Sequence, residues 1–577
     1  MQRRNCDPKR AGSLPSETQR TCMKKITKLW PWLAAICSGV LYAACFAPFN
    51  LTWFCWVALT PLIAAVWFSG GESRHPWLRN LLLGYVAGLT FFWIVFSWLT
   101  TVTILGWFVL EFYMAIYIAI WGWFCGLVRP RPKTNRVGTR KWGQMLSQAR
   151  TGATPPQSPW TKSTNNLGLA LLLAAAWTTL EWLRSWVFSG FGWNGLGVAL
   201  HDTWPLIQIA ELTGAAGLSF LTAFVNVIIL TTAYRLVVEA RTHVMRPHFD
   251  FTFTMAAIVG VLVFGFRATQ VSPDAKPFRV AAVQSNVPQN QKFDPQFTKR
   301  IFDQFRRLSE IALRSNSPPE LLVWPESSMP GPVLTDQESY KFVMDLAAEA
   351  DTDFLLGTID EDGSDVYNAA ILLSDGGERV QVYRKVHLVP FGEFVPGRHT
   401  VPLLARIVGD QVPGDFKAGK EHKVFTLTDG DVQVAPLICF EDTIGELARQ
   451  FVVPTETSPG ANLLVDVTND GWFQHSAGSH QHLANAIFRC IETRRPMLRA
   501  ANTGVTCFIN QFGRVTQELQ DETGSTFTEG VLSGDIKVPT EHELTFYARH
   551  GELFAKLCAA ITLVAIVLAS LIRWRTL

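Results

Sequence analysis

The feature that most constrains this chain is a row of apolar stretches, each near the length needed to cross a bilayer, interrupted by one long polar segment. A spanning helix needs about 20 apolar residues. Eight stretches approach that length, at 29–49, 53–69, 80–98, 103–127, 167–188, 209–234, 251–267 and 553–572; those at 53–69 and 251–267 are the shortest. The first is too long for a signal peptide and lacks a small-residue cleavage site. The expected organisation is a basic tail (1–28), a seven-helix membrane domain (29–267), a catalytic domain (268–550) and a C-terminal span (551–577).

Charged residues make up only 17 % of the chain, and mean hydropathy is +0.16. Twenty-one Trp and 39 Phe fit broad aromatic belts at membrane interfaces. The net charge of +3 is small, with no basic repeat, so nothing suggests a nucleic-acid partner. The distribution of cations says more. Lys and Arg crowd the N-terminal tail, the loop at 129–166 and the loop after the sixth stretch, and nearly avoid the alternate loops. The positive-inside rule then places both termini in the cytoplasm and residues 268–550 on the opposite side. Ten Cys show no CxxC pair and no metal-ligand spacing, so neither a metal nor a cofactor is expected.

The segment 268–550 reads as alternating strands and helices, hence an α/β sandwich. FRVAAVQSNV is a strand, and KRIFDQFRRLSEIALRS has apolar residues at helical spacing. Further strands end near Glu326 (LLVWPE), Gly357 (FLLG), Ala370 (YNAAILL) and Cys439 (VQVAPLIC), and NLLVDV follows. Three residues from these strand ends suit acyl transfer. A carboxylate (Glu326) serves as base, an ammonium (Lys385) stabilises an oxyanion, and a thiol (Cys439) attacks. Taken singly, each has an ordinary reading: a strand cap, an exposed lysine, a buried structural thiol. The run C-F-E-D makes an apolar core less apt around Cys439. Glu393, held among aromatics and prolines in PFGEFVP, is an odd place for a solvated acid. Cys490 and Cys507 keep the packing role.

WPES, RKVHLVPFGEFVP, CFED and TNDGWF resemble the nitrilase superfamily, whose members use a Glu-Lys-Cys triad. With the apolar spans added, the chain resembles the bacterial apolipoprotein N-acyltransferase family over nearly its whole length. That resemblance implies a multi-pass helical membrane domain of about eight spans carrying an αββα sandwich, in the bacterial inner membrane with the sandwich in the periplasm. It implies Glu326 as base, Lys385 as oxyanion stabiliser and Cys439 as nucleophile, with Glu393, Phe440 and Glu441 in support. Phe440 stands where the family often has Tyr, and Phe293 near a position where some members have Trp; both keep a ring and lose a polar handle. The implied partners are a phospholipid acyl donor and a diacylglyceryl apolipoprotein acceptor, the latter acylated on its N-terminal cysteine amine through a thioester. The alternative is a membrane-tethered amidase or nitrilase. Phe293, Trp472 and Phe473 are expected at a lid or substrate contact, and the loop at 394–420 as a surface loop or second lid. Glu181 and Arg184, three apart on one spanning helix, are expected to pair.

Overall fold

The computed structural model describes residues 17–69, 74–129, 158–271, 274–395 and 414–574. Among the described residues, seven helices of nine residues or more come first: α1 (Glu17–Ala43), α2 (Thr60–Phe68), α3 (Pro76–Val95), α4 (Ile104–Leu127), α5 (Pro159–Arg184), α6 (Ala215–Thr242) and α7 (Phe249–Ala268). Among the described residues, six helices are long and apolar enough to cross a membrane: α3 to α7 and the final helix, Leu553–Trp574. This is a membrane protein. These six helices do not confirm the expected count of about eight spans. The stretch 53–69 is a 3₁₀ turn (Thr52–Trp56) followed by the nine-residue α2. At 1.5 Å per residue α2 is about 14 Å long, against a hydrocarbon core of about 30 Å. Asn226 of α6 makes the break tolerable: its Oδ1 accepts from Leu59 N at 2.8 Å and Thr60 N at 3.2 Å, and its Nδ2 donates to Cys55 O at 2.8 Å. Backbone groups freed inside lipid need such a partner. Most of the basic tail and loop 129–166, and residues 396–413 of the expected surface loop, lie outside the described residues.

The described residues of the remainder build two six-stranded sheets, in the orders β12-β1-β2-β3-β4-β5 and β11-β10-β9-β8-β7-β6. The first contains β1 (Ala275–Gln284), β2 (Leu321–Trp324), β3 (Asp353–Asp362), β4 (Asp365–Ser374), β5 (Arg379–Arg384) and β12 (Gly530–Pro539). The second contains β6 (Phe425–Thr426), β7 (Gln433–Ile438), β8 (Leu463–Thr468), β9 (Met497–Ala501), β10 (Cys507–Ile509) and β11 (Val515–Glu518). Strand side chains alternate between faces, and the first sheet is apolar on both. Ala281, Val283, Leu322 and Trp324 pack with helices α8 (Thr298–Leu313) and α9 (Gln337–Ala350). Their neighbours Val280, Ala282, Leu321 and Val323 join the core shared with the second sheet. Helices α10 (Gly445–Val452) and α11 (Gly478–Thr493) cover the second sheet, completing an αββα sandwich.

Helix α11 is buried along nearly its whole length although its sequence, GSHQHLANAIFRCIET, is half polar. One side faces the second sheet; the other is seated on the membrane helices. Gln481 makes the seat. Its Oε1 accepts from Trp98 Nε1 (3.0 Å), Trp193 Nε1 (3.1 Å) and Asn194 Nδ2 (3.0 Å), and its Nε2 donates to Ala47 O (2.8 Å) and Val95 O (3.2 Å). Buried amides are tolerated only when satisfied in this way.

Candidate active site

Glu326 lies two residues beyond β2, and Lys385 and Cys439 immediately follow β5 and β7. The structure brings these three strand ends together between the sheets. Lys385 is 1 % exposed and Glu326 7 %, while Cys439 is half-buried. Asn368 Nδ2 donates to both Glu326 Oε1 and Glu393 Oε1 at 2.7 Å, and Lys385 Nζ pairs with Glu393 Oε1 at 3.0 Å. Val389 N donates to the other Glu393 oxygen at 2.7 Å. Glu326 Oε2 has no partner among the described residues, leaving it free to receive a proton.

Burial raises the Glu326 pKa, against the opposing pull of Lys385. Burial also pushes the Cys439 thiol well up, reinforced by Glu326 and only partly opposed by Lys385. Lys385 behaves differently: burial lowers it, but Glu393, Cys439 and Glu326 together outweigh that and leave it raised. The resting site therefore holds a neutral thiol, a permanent cation and a carboxyl poised closer to neutrality than usual. Such a thiol reacts when its proton leaves as attack proceeds.

Cys439 has φ of +54°, a left-handed conformation costing about 1–3 kcal/mol outside glycine. The strain is held by the turn it opens, Cys439–Thr443. Glu441 organises that turn. One oxygen accepts from Ile438 N at 3.0 Å; the other accepts from Val386 N at 2.9 Å and His387 N at 3.0 Å, and Tyr383 Oη donates at 2.9 Å. One carboxylate from the second sheet thus fixes the strand end that carries Lys385 relative to Cys439. The acidic pair after the thiol, Glu441 and Asp442, is fully buried. C-F-E-D therefore marks an internal polar network, not solvent.

The approach of β3 to Glu326 requires a glycine. A Cβ on Gly357 would sit 2.5 Å from Glu326 Cα. Gly357→Ala is expected to displace Glu326 and slow the site's chemistry by about 10- to 100-fold while the protein still folds. Single-turnover acylation of Cys439 measures this; an unchanged rate would mean the close approach is dispensable.

The aromatic surroundings join both halves of the molecule. Phe440 stacks on Phe191 (5.5 Å, 7°) and lies parallel to Trp193 (6.1 Å, 3°), both from the segment between α5 and α6. His387 stacks on the same ring at 5.7 Å.

A family profile described as the apolipoprotein N-acyltransferase N-terminal domain matches residues 38–228, and one described as carbon-nitrogen hydrolase matches residues 279–544. The apolipoprotein N-acyltransferase of Geobacter metallireducens is 32 % identical over 559 residues, covering 93 % of this chain and 95 % of that protein. This chain belongs to the apolipoprotein N-acyltransferase family. The Methylococcus capsulatus apolipoprotein N-acyltransferase is 31 % identical over 502 residues, covering 84 % of this chain and 86 % of that protein. Among solved structures, a CN-hydrolase superfamily protein of Xanthomonas campestris is 17 % identical with a TM-score of 0.35, covering 45 % of this chain and 91 % of that one.

Several residues of this family member were not singled out from the sequence. Lys292 is 3 % exposed and donates to Glu326 O at 2.7 Å. Burial draws its pKa down to about 8, against the charges of Glu326 and Cys439. It lies in the polar run NQKFD, where nothing marks burial. Asn368 carries a signal in retrospect, as a polar residue opening the apolar run NAAILL. Behind the Cys439 turn, His482 contacts Asp442 at 2.8 Å and Asp470 at 3.0 Å, and Arg499 reaches Asp442, Asp466 and Asp470.

The expected lid residues separate. Phe293 and Trp472 are 47 % and 40 % exposed, whereas Phe473 is buried against Trp98, Trp193 and His482. Phe473 is a packing residue at the junction, because the seat on the membrane helices covers its ring. The expected Glu181–Arg184 pair is replaced by other contacts. Glu181 Oε1 accepts from Trp177 Nε1 and Leu196 N, each at 2.8 Å, and Arg184 lies over the Phe92 ring.

Proposed function

We propose that this chain is a phospholipid-dependent acyltransferase that acylates the N-terminal diacylglyceryl-cysteine of apolipoproteins. Glu326 is the base, Lys385 the oxyanion stabiliser and Cys439 the nucleophile. Glu393 and Asn368 hold the first two, and Glu441 holds the third. Cys439 Sγ attacks the ester carbonyl of a phospholipid as Glu326 takes the thiol proton. Lys385 meets the developing oxyanion. The C–O bond then breaks, Glu326 returns the proton to the glyceryl oxygen, and lysophospholipid leaves a thioester on Cys439. In the second half, the acceptor's α-amine attacks that thioester. Glu326 accepts the amine proton and passes it to the departing sulfur. The balance is one ester and one amine in, one amide and one lysophospholipid out.

The observation that carries this reading is the shared aromatic stack. Phe440, adjoining the thiol, lies against Phe191 and Trp193 of the membrane half. A site roofed by the spanning region suits an acyl chain arriving from the bilayer. A tethered amidase needs only one anchor, whereas the family match runs through the helical half as well.

The division into a tail, a membrane domain, a catalytic domain over 268–550 and a closing span remains part of this proposal. So does an inner-membrane location with cytoplasmic termini and a periplasmic sandwich. Besides the cation distribution, one contact supports that alternation. Trp67, at the end of α2, donates to Cys125 O at 3.1 Å near the end of α4 farther from the sandwich. The broken segment 52–68 thus runs toward the far face.

Incubating the purified protein with phospholipid bearing a labelled acyl chain is expected to leave one fatty-acyl mass, removable by hydroxylamine, on the Cys439 peptide. Absence of that adduct from the wild-type protein would refute the proposal.

A further inference from the structure

Two buried charges outside the reacting trio link it to the membrane half. Arg489 and Glu492, on α11, are 4 % and 2 % exposed. They form a two-pronged pair, Nε to Oε2 at 2.8 Å and Nη2 to Oε2 at 2.7 Å. Each partner also reaches beyond the pair. Arg489 Nη1 donates to Thr443 O, the last residue of the turn that Cys439 opens. Glu492 Oε1 accepts from Ala215 N at 2.9 Å, the first residue of the 28-residue α6. A carboxylate at a helix N-terminus meets unsatisfied N–H groups and the positive end of the dipole.

The surroundings leave this link no slack. A Cβ on Gly445, two residues past the turn, would sit 2.9 Å from Glu492 Oε2 and 2.6 Å from Tyr547 Oη. Buried ion pairs are a poor source of stability, because desolvation offsets most of their attraction. An apolar pair of similar size would hold α11 as well. What the charged pair supplies instead is directed hydrogen bonding at both ends.

Building on the acyltransferase reading, we infer that Arg489 and Glu492 are positioning residues: they set the Cys439 turn against the N-terminus of spanning helix α6, and so fix the thiol relative to acyl esters presented from the bilayer. Neither touches the reacting atoms. Their work is to keep the strained turn at the height and angle from which Cys439 faces both Glu326 and the donor.

The test uses the full-length protein in lipid nanodiscs, with single-turnover acylation of Cys439 measured against donor concentration. Arg489→Lys and Glu492→Ala are expected to lower the maximal acylation rate by about 10- to 100-fold, with half-saturation moving less than about threefold. Glu492→Gln keeps an acceptor for Ala215 N but removes the negative charge that pairs with Arg489, and is expected to fall between these and wild type. Asp250→Asn is the comparison. It weakens another buried pair, Arg235–Asp250 at 3.0 Å, toward the opposite end of α6. It is expected to lower thermal stability while leaving the acylation rate per folded molecule at the wild-type value. Arg489 and Glu492 variants with wild-type maximal rates per folded molecule would overturn the inference, as would an equal loss in Asp250→Asn. Should Arg489→Lys or Glu492→Ala not fold, Glu492→Gln decides alone by the same criterion. Failure of the wild-type protein to acylate counts against the function proposed above, not against this link.

Discussion

Replacing Cys439 with alanine is expected to give a protein that inserts and folds but never carries a fatty-acyl group. In the proposed mechanism the sulfur is the atom that bonds to the acyl carbon, and Cys490 and Cys507 offer no substitute. Both are fully buried, and burial raises both thiols. The loss should exceed about 1,000-fold, since without a nucleophile the oxyanion stabiliser has no intermediate to hold. Folding should survive, because the turn is fixed by Glu441 through Ile438, Val386 and His387, whose backbone groups remain. Intact-mass measurement after incubation with phospholipid reads the outcome. Acylation of the alanine variant at the wild-type rate would remove Cys439 from the mechanism.

Replacing Glu326 with glutamine is expected to slow acylation by about 100- to 10,000-fold, the usual contribution of a positioned base. The amide preserves the volume and the contact with Asn368 but cannot take the thiol proton. Because burial raises the thiol well above its usual range, little thiolate forms without help. The pH profile separates the roles further. Burial raises Glu326, and it raises Glu441 to about 7 against the pull of Lys385, the His387 and Ile438 N–H groups and Tyr383. Both groups must be carboxylates in this mechanism: one to accept a proton, the other to receive four hydrogen bonds. Acidification protonates them, so wild-type acylation should fall as pH drops through about 7. The glutamine variant, slow throughout, should keep only the Glu441 limb. An acylation rate in either protein that is flat from pH 8 to pH 5 would contradict these assignments.

The strand ends were legible because buried strands are short apolar runs and their ends are marked by polar residues. LLVWPE and VAPLICFED each read that way, and β2 and β7 stop where those runs stop. Sequence patterning could not supply partners chosen by tertiary contact. Asn368 bridges Glu326 and Glu393 across loops of different length, and Lys292 is buried from within a polar run. Acidic residues after the thiol spoke against an apolar core, and Glu441 and Asp442 do sit in a polar network, but nothing in the pattern showed that donors rather than water enclose them. Segment 53–69 is a different case. Its apolar length suggested one helix, but Asn226, from a span more than 150 residues later, stabilises a broken one.

The near-complete enclosure of α11 bears on how this molecule is made. A free-standing sandwich would end in a helix layer with one wet side; here α11 has almost none. Gln481, Phe473 and Glu492 find their partners on segments that leave the ribosome hundreds of residues earlier. Chains mature from the N-terminal end, so the helices must be inserted before α11 has anywhere to settle. Severed from them, the sheet-bearing half would present bare indole- and phenyl-binding surface to water and clump. The expected order of biogenesis is the lipid-embedded platform first, with the thiol reaching its final geometry after docking.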